Sequence, residues 1–163
     1  MPLYGVRPAV ATDADPLGEV HVQVWREAYA GIMPADYLAG LDPGLERWRG
    51  LLSDPSRTVL VGTADAAVVG FVTTGPSRDD PPVPSFELYA INVLAAHHGT
   101  GLAQSLFEAA LSPADGAAVS LWVATENGRA LAFYARYGFV PDGRTDTHAD
   151  TGIAEVRLLR AAR

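Results

Sequence analysis

The stretch HHGTGLAQSL, from His97 to Leu106, places two glycines directly before an apolar run with helical spacing. The first amides of a helix have no partner inside the helix, and the aligned peptide dipoles add roughly half a positive charge there. Glycine at 99 and 101, with alanine at 103, lets a bulky anion approach the backbone. The pattern is typical of a phosphate-binding turn. A tight strand-to-helix connection without a ligand is the alternative.

Other anion and metal sites fit this stretch poorly. The phosphate-binding loop of NTPases needs GxxxxGK[ST], and the chain contains no lysine. The dinucleotide fingerprint GxGxxG fails because the run that begins at Gly99 has Gln104 in place of the last glycine. His97 and His98 have no third ligand at suitable spacing, so we expect no metal.

Two longer segments narrow the interpretation. TENGRALAFYARYGFVPDG (125–143) contains an asparagine, an alanine, a Phe-Tyr pair and a Gly-Phe pair, and it resembles the C-terminal signature of the GNAT superfamily of acyl-CoA-dependent N-acetyltransferases. FELYAINVLAAHHGTGLAQSLF (86–107) resembles the pyrophosphate motif [QR]xxGx[GA] of that family. HVQVWREAYAGIMPADYL (21–38) is similar to a bacterial subgroup of it, so the resemblance extends over nearly the whole chain.

The resemblance implies acetyl-CoA as cosubstrate. Its diphosphate would lie on the backbone of the glycine turn, and its pantetheine would pair with the strand before the turn, where two parallel strands splay apart. His98 stands where the family usually has Gln or Arg, so one phosphate contact is expected to be weaker or pH-dependent. The implied cofactor-binding residues are Ile91, Asn92, Val93, His98, Gly99, Thr100, Gly101, Leu102, Ala103, Asn127 and Tyr134.

The same resemblance implies catalytic roles. Tyr134 lies at the general-acid position, where a phenol would protonate the departing thiolate; a core tyrosine is the alternative. The Val93 amide would polarise the thioester carbonyl. Glu87 lies in the register of the base of histone acetyltransferases, and an exposed strand-edge carboxylate or a water relay are its alternatives. The glutamate of the ribosomal-protein branch is replaced here by Trp122.

The acceptor pocket is the variable part of this family. Trp25 and Tyr29 are the substrate-binding candidates, although an aromatic stripe at helical spacing also suits a core. Further candidates are Tyr37, Tyr89 and the loop 76–84. Carboxylates that would attract a cationic amine, or that are only solvated, are Glu27, Asp79 and Asp80.

The elements that carry these residues follow from periodicity and turn signals. Strands are predicted over 3–9, 58–64, 67–75, 86–94, 118–125 and 152–160, with a hairpin turn at 64–66 and a mobile loop at 76–84. Helices are predicted from a cap at Thr12 or Asp13 to Gly31, from Pro34 to about Leu52 with a break at 42–44, over about 101–111, and from 127 to Gly138. We therefore expect an α/β GNAT fold, with a mixed sheet of six to seven strands, about four flanking helices and parallel strands 86–94 and 118–125.

Composition limits the function further. The 163 residues suit one domain, 1–163, and the formal charge of −7 disfavours a nucleic-acid role. The chain has no cysteine, and no apolar run approaches the ~20 residues of a membrane span. We expect a cytoplasmic N-acetyltransferase that acetylates a small-molecule or peptide primary amine by direct attack, with a homodimer as the assembly that the family resemblance suggests. A non-catalytic acyl-CoA sensor, and a transferase for a longer acyl group or a hydroxyl acceptor, are the alternatives.

Overall fold

The computed structural model describes residues 1–149 and 151–163. Within them lie seven strands: β1 (Tyr4–Pro8), β2 (Thr58–Ala64), β3 (Ala67–Pro76), β4 (Phe86–Val93), β5 (Val119–Ala124), β6 (Val140–Thr147) and β7 (Ala154–Arg160). Five α-helices accompany them: α1 (Ala14–Tyr29), α2 (Ala35–Ala39), α3 (Leu45–Ser53), α4 (Leu102–Leu111) and α5 (Gly128–Arg136). No described helix is long and apolar enough to cross a membrane.

The strands are hydrogen-bonded in the order β1-β2-β3-β4-β5-β7-β6. β4 and β5 run parallel, with Phe86 opposite Val119 and Glu87 opposite Ser120. The pairs β1/β2, β2/β3, β5/β7 and β6/β7 are antiparallel. The predicted mixed α/β sheet and its parallel pair are therefore confirmed.

Two compact units divide the chain. The first unit comprises Met1–Thr74 and Ala90–Pro113, and the second unit comprises Gly75–Tyr89 and Ala114–Arg163. The division falls within β3 and β4, so neither unit corresponds to a continuous stretch of sequence. The expectation of a single domain over 1–163 stays a prediction.

The core of the first unit lies between α1, α3 and the β2/β3 hairpin. Leu17 and Val20 of α1 are buried with Trp48 of α3 and Phe71 of β3. The Trp48 and Phe71 rings meet edge to face with centroids 5.0 Å apart. Burying such a side chain stabilises the fold by about 1.5–3 kcal/mol, so Leu17 and Val20 fix α1 on the sheet.

Asp13 occupies the predicted N-cap position of α1, but its side chain makes no capping hydrogen bond to that helix. Residues 11–13 form a short 3-10 turn before α1, and Asp13 itself has helical φ and ψ angles of −81° and −6°. Its carboxylate therefore faces back, accepting the Val10 amide at 2.8 Å and the two terminal nitrogens of Arg7 at 2.7 and 2.9 Å. Asp13 caps the 3-10 turn instead of the helix.

The hairpin turn is as predicted. Asp65 and Ala66 connect β2 to β3, and both have positive φ angles, of 47° and 71°. This conformation matches the right-handed twist of the flanking strands. The Asp65 carboxylate also accepts the Leu3 amide at 2.9 Å, which joins the turn to the start of β1.

The second unit contains β6, a strand for which the sequence pattern predicted no residue range. β6 is exposed along its whole length, so it has no alternation of apolar and polar residues to reveal it. Its Pro-Asp-Gly segment has the composition of a turn. The pairing of β6 with β7 shifts in register between Pro141 and Thr145, which accommodates that segment within the strand.

Candidate active site

The glycine turn follows β4 as predicted. Gly99 and Gly101 have φ angles of +75° and +85°, a left-handed conformation that side chains disfavour. A Cβ atom added at either position would meet nothing within 4 Å. These glycines are therefore required by the backbone conformation and not by packing, and the space above the turn is open.

The start of α4 is suited to hold an anion. Its N-cap is Gly101, which has no side chain, and among the described residues the Leu102 amide reaches only the Thr100 hydroxyl, at 3.4 Å. The amides of Ala103 and Gln104 lie in the first turn, where the helix itself offers no acceptor. The turn thus combines unused N–H groups with the positive end of a ten-residue helix.

Three hydrogen bonds hold this turn in the first unit. Glu27 of α1 accepts the Ala95 amide at 2.8 Å, and the Tyr4 hydroxyl lies 3.0 Å from Nδ1 of His97. The Thr100 hydroxyl donates to the His97 carbonyl at 2.8 Å. Glu27, considered from the sequence as an attractor for a cationic amine, instead supports the turn, and Tyr4 was missed because it lies more than 90 residues away.

His98 is oriented by a backbone carbonyl of β4. Its Nε2 lies 2.8 Å from the Val93 carbonyl, so this nitrogen carries the proton and donates. Only Nδ1 is then left to face a phosphate, and it becomes a donor only when the imidazole is protonated. This geometry agrees with the expectation of a conditional phosphate contact, which stays a prediction.

Gly70 of β3 shapes the strand that precedes the turn, and sequence reasoning missed it. A Cβ atom at Gly70 would lie 2.8 Å from the Asn92 carbonyl oxygen and 3.0 Å from the Val93 side chain. Any side chain there would push the backbone of Ile91–Val93 away. A glycine inside a strand is the signal of such close approach.

Glu87 in the second unit is fully buried. Its Oε2 accepts the Arg78 amide at 2.8 Å, and its Oε1 accepts Nη2 and Nε of Arg78 at 2.7 and 3.3 Å. The alternative of an exposed strand-edge carboxylate is therefore wrong, because β4 lies between two other strands and Arg78 covers the side chain. Ser120, opposite Glu87 on β5, has a buried hydroxyl without a hydrogen-bond partner among the described residues.

Asn127 and Tyr134 lie at the start and in the last turns of α5. The Asn127 side chain accepts the Ala130 amide at 3.1 Å, so it caps the helix. Tyr134 is 6% exposed and packs against Phe139 with ring centroids 5.9 Å apart. Burial raises the pKa of the Tyr134 phenol far above its usual value, so it is protonated at neutral pH. A proton donor and a core residue both fit this environment.

The aromatic acceptor candidates lie in different places. Trp25 and Tyr29 are half-buried on α1, with ring centroids 4.8 Å apart. Tyr37 is an exposed residue of α2. In the second unit, the Tyr89 hydroxyl donates to the Pro76 carbonyl at 2.5 Å, and the Arg78 guanidinium lies 4.4 Å from the centre of the Tyr89 ring.

The loop after β3 is irregular, as expected, but its polar groups are not merely solvated. Asp79 accepts the Trp122 indole N–H at 2.9 Å and Nη1 of Arg157 at 3.0 Å. Arg157 also donates to the Val83 carbonyl at 2.9 Å and to Asp142 at 2.6 Å. These contacts join the loop to β5, β6 and β7, and no short motif in the sequence could have indicated them.

No group of three or more His, Cys, Asp or Glu side chains in residues 1–149 and 151–163 is arranged to hold a metal ion. The arrangement instead offers an anion-binding turn in the first unit and a buried carboxylate with a protonated phenol in the second.

Comparison with known proteins then becomes informative. Residues 22–139 match the model of the Acetyltransferase (GNAT) family. The chain belongs to the GNAT family of acetyltransferases.

Relatives with this activity in their names are similar over most of their length. An uncharacterised N-acetyltransferase of Mycobacterium tuberculosis is 31% identical over 160 residues, covering 91% of this chain and 99% of that protein. An uncharacterised N-acetyltransferase of Bacillus subtilis is 30% identical over 138 residues, covering 81% of this chain and 78% of that protein. The chain is therefore an acetyltransferase.

Solved structures give the same fold. The PaiA N-acetyltransferase of Thermoplasma acidophilum, crystallised in complex with coenzyme A, has a TM-score of 0.75 at 17% identity, covering 98% of this chain and 99% of that one. Both the glycine turn and the segment from Asn127 to Gly138 fall inside the part of this GNAT chain that matches the family model. β6 and β7 lie outside it.

Proposed function

We propose that this GNAT enzyme transfers the acetyl group of acetyl-CoA to a primary amine by direct attack of the amine on the thioester. The observation that carries the proposal is the open glycine turn, whose amides lack a capping side chain at the start of α4. The coenzyme A bound by the PaiA relative supports the choice of ligand.

The chain's backbone supplies most of the proposed cofactor contacts. The amides from Gly99 to Ala103 hold the diphosphate, and Nδ1 of His98 adds a donor when it is protonated. The backbone of Ile91–Val93 pairs with the pantetheine, and the close contact of Gly70 with Asn92 keeps that backbone in place. Asn127 orders the start of α5 and adds a polar contact to the cofactor.

The proton balance assigns the remaining roles. Acetyl-CoA supplies the acetyl group as a thioester, and the acceptor enters as an ammonium ion. Glu87 takes one proton from the ammonium, directly or through water, and the Val93 amide stabilises negative charge on the carbonyl oxygen. The C–N bond forms and the C–S bond breaks. Tyr134 protonates the leaving thiolate and regains its proton from the acetylated nitrogen, so one proton is released to solvent in total.

Ligand-induced stabilisation tests the cofactor assignment. At 100 times its Kd, acetyl-CoA should stabilise the protein by about 2.7 kcal/mol and raise its Tm. Gly99→Ala should weaken this effect, because the new side chain strains the turn and occupies the space above it. Gly31→Ala is the matched control, since Gly31 has a φ of +79° and equally open surroundings but lies in a different loop.

Both glycine variants should lose a similar amount of stability without ligand, about 1 kcal/mol. Only Gly99→Ala should lose affinity for acetyl-CoA. No Tm shift of the wild type at millimolar acetyl-CoA, or equal loss of affinity in the two variants, would refute the assignment. A screen of primary amines with a thiol-release readout then tests the transfer itself.

A further inference from the structure

We propose that Glu87 and the Tyr89 ring form the site that receives the ammonium group of the acceptor, and that the Arg78 guanidinium occupies this site until the acceptor displaces it. The inference rests on the proposed function, because it names how the acceptor enters. It makes Arg78 an internal stand-in for a cationic substrate.

The contacts of Arg78 are those of a bound cationic ligand. Two of its guanidinium nitrogens donate to one carboxylate oxygen of Glu87, at 2.7 and 3.3 Å. Its central carbon lies 4.4 Å from the centre of the Tyr89 ring. A carboxylate beside an aromatic face is the combination that recognises ammonium and guanidinium groups, through charge and cation–π attraction.

The two partners of this ion pair differ sharply in exposure. The Glu87 side chain is 1% exposed, whereas that of Arg78 is 53% exposed. Arg78 belongs to the irregular segment between β3 and β4, while Glu87 is held in the middle of the sheet. The cation can therefore leave by rotation of its own side chain, whereas the carboxylate stays in place.

The nearby Arg157–Asp79 pair shows what a permanent ion pair looks like in the same unit. Both of its side chains are at most 9% exposed, and Arg157 is also bonded to Asp142 and to the Val83 carbonyl. Breaking it would leave the buried Asp79 carboxylate without its main cationic partner, at a cost of about 3–5 kcal/mol. Arg78 has no comparable enclosure, although the loop that carries it is fixed by Asp79.

The Glu87 carboxylate can exchange the Arg78 guanidinium for another cation. When the guanidinium leaves, Oε2 keeps the Arg78 backbone amide at 2.8 Å, and Oε1 becomes free for the incoming ammonium. Ser120, the residue paired with Glu87 on β5, has a buried hydroxyl that bonds no other described residue. One positive charge replaces another, so the buried carboxylate is never left unpaired.

The acceptor class that follows is a primary amine protonated in solution, with a head small enough to lie between a carboxylate and a phenol ring. A neutral hydroxyl acceptor would have to break the ion pair without replacing the charge.

Arg78→Ala creates the vacancy that tests the inference. Methylguanidinium chloride at low millimolar concentration should raise the Tm of Arg78→Ala relative to NaCl of equal ionic strength, and it should leave the wild type unchanged. The rise should vanish in the double variant Arg78→Ala, Glu87→Gln. If Arg78→Ala does not fold, Arg78→Met, which keeps an unbranched aliphatic side chain without the charge, takes its place.

Arg7→Ala is the matched control. Arg7 also donates from two nitrogens to a buried carboxylate, to both oxygens of Asp13, but among the described residues it has no aromatic ring beneath its guanidinium. Methylguanidinium should stabilise Arg7→Ala less than Arg78→Ala. Equal stabilisation of the two variants, or none of Arg78→Ala, would overturn the inference.

Kinetics link the site to the acceptor. With an amine found in the screen, Arg78→Ala should lower the KM for the amine at least fivefold, because the acceptor no longer competes with the side chain. An unchanged or raised KM contradicts the displacement. Failure of acetyl-CoA to bind would refute the proposed function, whereas normal acetyl-CoA binding with no methylguanidinium effect would refute this inference alone.

Discussion

Acidification should destabilise the first unit through His21. Its ring lies half-buried on α1, edge-on to Trp25, Trp48 and Phe71 with centroids 5.9–6.1 Å away. Its Nδ1 accepts a hydrogen bond from Arg47 at 2.9 Å. Burial, together with the positive charge of Arg47, lowers the pKa of His21 from 6.5 to about 4.

The sign and size of the effect follow from that shift. The unfolded chain takes up the proton near pH 6.5 and the folded chain only near pH 4, so acid favours unfolding between these values. The stability is fully present above about pH 6.5, falls as the pH decreases, and stops falling below the folded pKa. The whole shift corresponds to about 3 kcal/mol, of which about 2 kcal/mol is lost between pH 7 and pH 5.

Urea unfolding followed by tryptophan fluorescence at a series of pH values measures this loss. His21→Gln is the control, because its side-chain carbonyl can still accept from Arg47 but does not titrate in this range. The other three histidines are common to both proteins, so the difference between them isolates His21. If the stability difference between wild type and His21→Gln stays constant within about 0.5 kcal/mol from pH 7 to pH 5, the assignment of His21 as buried and neutral is wrong.

Two further substitutions test the second unit. Tyr134→Phe should keep the acetyl-CoA-induced Tm shift but lower kcat at least about tenfold, because the leaving thiolate loses its proton donor; an unchanged kcat would leave Tyr134 as a core residue. Asp79→Ala should lower the free energy of unfolding by about 3 kcal/mol, because Arg157 and the Trp122 indole lose a buried partner. The exposed neighbour Asp80→Ala should cost less than about 0.5 kcal/mol in the same denaturation assay, and equal effects would show that Asp79 is only solvated.

The sequence predicted the parts of the fold that depend on local conformation. The β2/β3 hairpin, the glycine turn and the Asn127 cap each depend on a few consecutive residues whose backbone preferences are strong. The parallel pairing of β4 and β5 followed from the helix between them, since parallel strands need such a connection.

The environment of the charged residues could not be predicted in the same way. Glu87 interrupts an apolar run, so the sequence left both a catalytic base and an exposed strand-edge carboxylate open, and it did not show that the Arg78 side chain and amide make burial possible. Asp79 and Arg157 are 78 residues apart in the sequence and have no periodic signal. Both pairs arise from the way the strands are connected, which one sequence does not display.

In this lysine-free chain the buried carboxylates of Asp13, Glu87 and Asp79 pair with Arg7, Arg78 and Arg157, and Asp79 also lies 4.0 Å from Arg144. The differences between these pairs separate structure from function. Exposure of the cation sets Arg157, at 8%, apart from Arg7 and Arg78, at 42% and 53%. It does not distinguish Arg7 from Arg78. What distinguishes them is the Tyr89 ring beneath Arg78, which would hold any cation of similar size, and the hydroxyl of Ser120, the residue paired with Glu87, which bonds no other described residue. An ion pair that only stabilised the fold would need neither of these features, whereas a site that exchanges its own side chain for an amine would use both.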